Sequence, residues 1–382
     1  MFTLRANGRL LKRGPAPARW KHSCAHSECS LHQLSPYIGK LKSSIAGELI
    51  ERYSEPGDLI ADPFAGAGTI PLEAAIRGRG AFGSDISPYA TVLTKAKLSP
   101  PNSLDHALKL AEKALTESVE LASPDLRKIP AWVRGFFHPK TLQEALNFAT
   151  ICRRPGNEFF MACLLGILHH QRPGFLSFPS SHLVPYLRNQ KYPPERFPQM
   201  YTYRDLRPRL LAKIKRSYKR FADPHAVKMR KFVQTSVQKL ILPSRIDAII
   251  TSPPYMNALD YGRDNRLRLW FIDPYFAGEV DNDVTQRRQA FIDAMTGLAR
   301  KVGTVLKPTG HCVFVIGEEV RGSFRAHPSE IVIKIMAQHA PSLVLKTILV
   351  DEIPDVRRSR RKYQGVKTEH TLVFQSELPK RM

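Results

Sequence analysis

The stretch DLIADPFAGAGT, residues 58–69, decides how the rest of the chain is read. Leu59-Ile60-Ala61 is a short apolar run that ends at Asp62-Pro63, as a buried strand does when proline removes the next ladder donor. Gly66 and Gly68 follow, and without Cβ atoms they permit a tight turn and a close backbone approach. Thr69 then opens a helical pattern running to about Arg77, ended by Gly78 and Gly80. A second strand, AFGSDIS, carries Asp85 nineteen residues after Gly66. Pro88 suits the first turn of the next helix, PYATVLTKAKL. Together these form a βαβ unit.

Working outward, SPYIGKLKSSIAGELIERY (35–53) reads as an amphipathic helix with a polar lead-in. KFVQTS, DAIITSPPY, HCVFVIGEE, LVLKTILVDEI and EHTLVFQS read as further strands, with helices over 286–306 and SEIVIKIMAQHA. The expected fold is α/β: a Rossmann-like, doubly wound, seven-stranded, mostly parallel sheet with an inserted, mainly helical subdomain. The expected division is a basic N-terminal extension (1–34), a catalytic domain from 35–98 and 229–382, and an inserted basic helical region over 99–228.

Bulk properties narrow the function. The 382 residues carry a net charge of +24, and 43% are hydrophobic. A globular chain this basic points to a polyanion, with nucleic acid first. Five scattered cysteines do not make a disulfide framework and fit a reducing cytoplasm. MFTLRANGRLLKRGPAPARW contains no apolar run of signal-peptide length. The longest apolar run, FFMACLLGIL, is about half of what spans a bilayer, so no membrane segment is expected.

The glycine turn is neither G-x-G-x-x-G nor a P-loop, which favours a cofactor with a ribose and no pyrophosphate. S-adenosylmethionine fits that description. An acidic side chain at Asp85 can accept hydrogen bonds from ribose hydroxyls. The second motif is Ser252-Pro253-Pro254-Tyr255, directly after Asp247-Ala248-Ile249-Ile250 and Thr251. The two prolines end a strand and stiffen the loop beyond it, where α/β sheets place ligands.

With both motifs in view, the chain resembles the S-adenosylmethionine-dependent DNA amino-methyltransferases of the TSPPY type, which act on cytosine N4 or adenine N6. The resemblance covers 35–98 and 229–376. It rests on Phe64-Ala65-Gly66-Ala67-Gly68 and on Ser252-Pro253-Pro254-Tyr255, in that order and each at a strand end. It implies that Asp62, Phe64, Gly66 and Gly68 cradle the methionine moiety, with Tyr37 and Lys40 nearby. It further implies that Asp85 holds the ribose, that Ile86 lies against adenine, and that Ser236 sits near adenine N6. Serine at the head of the tetrad points to cytosine N4. The long insert lies before the third strand and not after it, a departure from the family's usual order.

The tetrad suits an exocyclic amine, whose lone pair is delocalised into the ring. The Ser252 hydroxyl and Pro253 carbonyl can accept both amino hydrogens, and Tyr255 offers a stacking face for a flipped base. C5 chemistry needs a Pro-Cys nucleophile, and no cysteine here follows a proline. The expected partner is double-stranded DNA, with a cognate restriction endonuclease possible in principle. Phosphate contacts are expected from Arg204–Arg207 through Lys219-Arg220 and from Arg357–Lys362. Tyr261 and Arg263 lie on an expected helix beside the pocket, and His169-His170-Gln171-Arg172 are candidates for lining the cleft.

Other readings stay open at this point: an adenine-N6 DNA enzyme, an RNA amino-methyltransferase, or a non-catalytic nucleic-acid-binding protein on the same scaffold. His22, Cys24, His26, Cys29 and His32 are metal-capable, but their spacing matches no zinc template, so no metal is assigned.

Overall fold

The computed structural model describes residues 5–6, 9–10, 12–22, 26–170, 174–177, 192–254, 261–274, 288–318, 327–353 and 368–377. The main sheet has eight strands: β1 (Lys12–Pro15), β2 (Leu59–Asp62), β3 (Gly80–Asp85), β4 (Arg230–Gln234), β5 (Ile246–Thr251), β6 (Leu306–Gly317), β7 (Leu343–Glu352) and β8 (Thr368–Ser376). Their order is β1-β7-β8-β6-β5-β2-β3-β4. Every pairing is parallel except those of β8, which runs antiparallel to β6 and β7. Seven of these strands are the expected ones. The eighth, β1, comes from the basic N-terminal segment and adds to the edge at β7. Its residues, Lys-Arg-Gly-Pro, lack the apolar alternation by which strands are recognised, because an edge strand needs backbone partners more than a buried face.

The helices are α1 (Ser43–Tyr53), α2 (Thr69–Ile76), α3 (Pro88–Leu98), α4 (Leu104–Glu120), α5 (Pro139–Cys152), α6 (Glu158–Ile167), α7 (Leu206–Ser217), α8 (Arg266–Ile272), α9 (Arg288–Val305) and α10 (Pro328–His339), with single-turn helices at Ala131–Arg134 and Tyr261–Asp264. Both faces of the sheet are covered. Ile250, Val313, Val315 and Val373 pack with α1 and α2 on one face. Ile249, Cys312, Phe314 and Phe374 pack with α9 and α10 on the other. Neighbouring residues thus alternate between two apolar layers, and the strands read as continuous apolar runs.

Helix α1 begins only at Ser43. Gly39 has a φ of 77° and Lys42 is extended, so the lead-in from Ser35 is a loop. Helices α4 to α7 form the run between β3 and β4. They share one core with α3 and α8, through Leu93, Phe148, Leu165, Ile214 and Trp270. Among the described residues, no helix is long and apolar enough to cross a membrane.

Candidate active site

The strand ends set the site. At the carboxyl edge of β2 the chain turns through Pro63–Gly68 into α2. Gly66 and Gly68 have φ of 49° and 71°, the left-handed region that glycine enters without steric cost. At Gly68 space matters as much as conformation, since an added Cβ would lie 2.6 Å from the Thr94 hydroxyl. At Gly66 the open side faces the Tyr37 ring, 3.5 Å from where a Cβ would stand.

Asp85, at the end of β3, braces this turn. Its Oδ2 accepts the Gly66 N–H and its Oδ1 the Ser87 N–H, both at 2.9 Å. Each carboxylate oxygen thus accepts a backbone N–H of the turn it borders. Ile86, the next residue, is 52% exposed at the cleft, an uncovered apolar side chain suited to lie against a ring.

Asp62 behaves differently from its motif neighbours. It is buried, and its Oδ1 accepts the Thr251 hydroxyl at 2.6 Å and the Phe64 N–H at 3.2 Å. Burial pushes its pKa up to about 7, against the pull of the Thr251 hydrogen bond. Thr251 is the residue before the tetrad, so this bond ties the two motif-bearing strand ends together. The Ser252 hydroxyl donates to the Val315 carbonyl of β6 at 3.1 Å. With its proton so engaged, its lone pairs are left to accept.

One cleft gathers these groups. Its walls include Tyr37, Lys40, Asp62, Phe64, Gly66, Asp85, Ile86, Ser236, Ser252 and Pro254, and about 980 Å³ of space lies between them, open mouth included. Gly68 stands behind the wall at the start of α2. Ser236 follows Thr235, whose N–H donates to the Asp85 carbonyl at 3.0 Å. Lys40 lines the cleft and donates its Nζ to the His32 carbonyl at 2.9 Å. Tyr255 lies outside the described residues, as do Cys24, Gln171, Arg172 and Arg357–Lys362. The Tyr261–Asp264 turn is helical as expected.

Sequence reasoning missed three neighbours of the site. Thr251 heads the TSPPY run but was given no role of its own, and it holds Asp62. Tyr89 stacks on Tyr37 at 5.7 Å between ring centroids, and its hydroxyl lies 2.6 Å from the Pro36 carbonyl. Lys97 is buried at 2% exposure and donates to the Ala67 carbonyl inside the glycine turn. That last feature had a sequence signal: Lys95 and Lys97 are two apart on one helix, so they cannot share a solvent face.

The basic run before β4 corrects an expectation. Arg204 and Lys213 are buried, bonded to the Phe175 and Gln33 carbonyls. Arg207 pairs with Glu112, and Arg220 donates to the Glu28 carbonyl. Much of this run therefore ties the helical region to neighbouring segments. Lys215, Arg216 and Lys219 do reach the surface. Of the histidine and cysteine candidates near the N-terminus, His32 is buried on Glu73 at 2.5 Å and Cys29 is buried. Among the described residues no three metal-capable side chains converge. His169 bonds Ser177, and His170 stacks on Phe175.

A doubly wound sheet with a glycine turn and a carboxylate at adjoining strand ends defines a nucleotide-cofactor-binding α/β protein. The family described as DNA methylase matches residues 20–95, the segment carrying both features. Over that segment the chain is similar to the amino-methylating DNA methylases, and the methyl donor that this similarity supports is S-adenosylmethionine. The residues present fit that donor: a carboxylate beside an uncovered apolar side chain, and a glycine turn open to close approach.

Among relatives, the chain is similar to the Type II methyltransferase M.MjaII of Methanocaldococcus jannaschii, at 34% identity over 18% of this chain and 13% of that protein. It is also similar to the ribosomal RNA large subunit methyltransferase K/L of Pseudomonas paraeruginosa, at 31% identity over 31% of this chain and 17% of that protein. The matched stretches thus span less than a fifth of either relative's length. Among solved structures, TrmN from Thermus thermophilus aligns with a TM-score of 0.37 and 12% identity, covering 88% of this chain and 50% of that one.

Proposed function

We propose that this protein transfers a methyl group to an exocyclic amino group of a base in nucleic acid, and that the base is a cytosine, methylated at N4, flipped out of duplex DNA. The observation that carries the reading is the meeting of Asp85 and Ser252 in one cleft, with the Ser252 proton committed to the Val315 carbonyl. When bound, S-adenosylmethionine supplies an electrophilic methyl group. The residues of this chain do the rest. Ser252 and the Pro253 carbonyl accept the amino hydrogens and localise the nitrogen lone pair. The proline pair keeps those acceptors from relaxing away. Tyr255 supplies a stacking face. Asp85 and Ile86 hold the ribose and the adenine, Ser236 meets the adenine edge, and Asp62, Phe64, Gly66, Gly68, Tyr37 and Lys40 surround the methionine end.

Target recognition is assigned to the helical region 99–228, whose exposed Lys215, Arg216 and Lys219 present charge to phosphates. A host in which the enzyme protects DNA from a partner restriction endonuclease is consistent with the similarity to a Type II methyltransferase. The similarity to a ribosomal RNA methyltransferase supports a second reading, with an RNA base as acceptor.

The test offers purified protein a tritium-labelled methyl donor with DNA and, separately, with RNA, followed by nucleoside digestion. Label in N4-methylcytosine from DNA is the expected result. Label confined to RNA moves the assignment to the second reading. Ser252→Ala is expected to lower turnover about 100-fold or more, the scale of losing one aimed polar group at a reacting centre, with donor affinity within about twofold. Full turnover in that variant would end the proposed role of the tetrad.

A further inference from the structure

Lys97 is a charged side chain at 2% exposure, hydrogen-bonded to the Ala67 carbonyl. An ammonium has three donors, and removing it from water is costly unless it is paired. The nearby carboxylates are engaged elsewhere: Glu73 with His32 and Arg77, and Glu28 with Ser43 and Gln33. Burial draws the pKa of Lys97 down to about 7, and Lys40 adds to that, while Glu28, Cys29 and Glu73 oppose it. As a contribution to stability alone, this is a poor use of a core position.

Its geometry supplies another reason. Thr94 and Lys97 are three apart on α3 and so share one face. Thr94 donates its hydroxyl to the Gly66 carbonyl at 3.3 Å, and Lys97 donates to the next carbonyl, Ala67. These two carbonyls belong to Gly66 and Ala67, just before the positive-φ Gly68 that opens α2. The same face of α3 sits so close that Gly68 tolerates no Cβ. Asp85 meanwhile holds the Gly66 N–H. The turn is thus gripped by its N–H from β3 and by two successive carbonyls from α3.

We propose that Lys97 is a positioning residue for cofactor binding: with Thr94 it fixes the glycine turn from below, so that the backbone lining the cleft holds its ligand-ready shape before any ligand arrives. This rests on reading the cleft as the S-adenosylmethionine site. Preorganisation of this kind lowers the ordering cost that binding would otherwise incur. It also separates affinity from stability. Replacing a buried, poorly paired charge by an apolar side chain of like volume is often neutral or stabilising.

The experiment is calorimetric titration of S-adenosylmethionine into wild-type protein and Lys97→Met, with the Tm of each. The variant is expected to keep or raise the Tm while its Kd for the cofactor rises tenfold or more. Equal affinity in the two proteins overturns the inference and leaves the cleft assignment standing. A variant that melts well below wild type overturns it too, since the ammonium would then be holding the fold and not the turn. A wild-type protein that binds no cofactor removes the cleft assignment and this inference with it.

Discussion

Around the glycine turn, the polar side chains of Asp62, Asp85, Thr94 and Lys97 brace the strand ends and the loop itself. Asp85 takes two N–H groups, Thr94 and Lys97 take two carbonyls' needs, and Asp62 takes the Thr251 hydroxyl and the Phe64 N–H. Between Leu104 and Arg220, polar side chains hold elements to one another. Arg207 meets Glu112, Arg204 meets the Phe175 carbonyl, Lys213 meets the Gln33 carbonyl, and Tyr203 donates to Glu144 at 2.6 Å. The first arrangement shapes a loop that lines a cleft. The second fastens helices, and its charge is not available to a partner. A basic run in a sequence is therefore a footprint for a polyanion only where its cations reach water.

The sharpest way to break this contrast is at Gly68. Alanine there must adopt a φ of 71° and place its Cβ 2.6 Å from Thr94. The left-handed conformation costs about 1–2 kcal/mol, and overpacking against α3 adds about 1–3 kcal/mol. Gly68→Ala should lose about 2–5 kcal/mol in urea unfolding and bind S-adenosylmethionine too weakly to measure by calorimetry. Unchanged unfolding would show that α3 yields and does not hold the turn.

Much of this was readable because the requirement falls on particular residue types. A left-handed turn needs glycine, a terminated strand tolerates proline, and a two-sided buried strand shows an unbroken apolar run. Hence β2 to β8, and the residues at their ends, were visible. β1 was not, because an edge strand of Lys-Arg-Gly-Pro draws its stability from backbone pairing alone. The Asp62–Thr251 link was not, because the two residues lie 189 positions apart and only the parallel pairing of β2 and β5 brings them together. The fate of Arg204 and Lys213 was hidden for a similar reason: their partners, Phe175 and Gln33, sit on other segments.

Asp62 gives a second test, smaller in effect and specific in sign. Its folded pKa of about 7 lies above the unfolded carboxylate value, so the folded state binds the extra proton. Its contribution to stability is fully present below about pH 4 and is lost as the pH rises through 7. Three pKa units set a ceiling of about 4 kcal/mol on that loss. Asp62→Asn cannot titrate and still offers an acceptor to Thr251. Urea unfolding from pH 4 to 8 should therefore show wild type losing a few kcal/mol relative to the variant. Parallel curves would mean that Asp62 is ionised throughout. Lys97 acts in the opposite window: its lowered pKa withholds stability near pH 7 and restores it as the pH rises toward 10.

The smallest effect lies in the helical region. Arg207 and Glu112 are each 45% exposed, so solvent screens their attraction. Such pairs contribute about 0.2–1 kcal/mol. Arg207→Ala should cost no more than that and should leave the salt dependence of nucleic-acid binding unaltered, because the guanidinium is already turned to Glu112. Exposed Lys215 and Lys219 carry no such partner among the described ion pairs. Replacing both should flatten the slope of log affinity against log salt by up to about two, the effect of two lost phosphate contacts. If instead Arg207→Ala flattens the slope and the lysine pair does not, the division between fastening and partner-facing cations is reversed on this helix, and α7 meets nucleic acid through the face it turns toward α4.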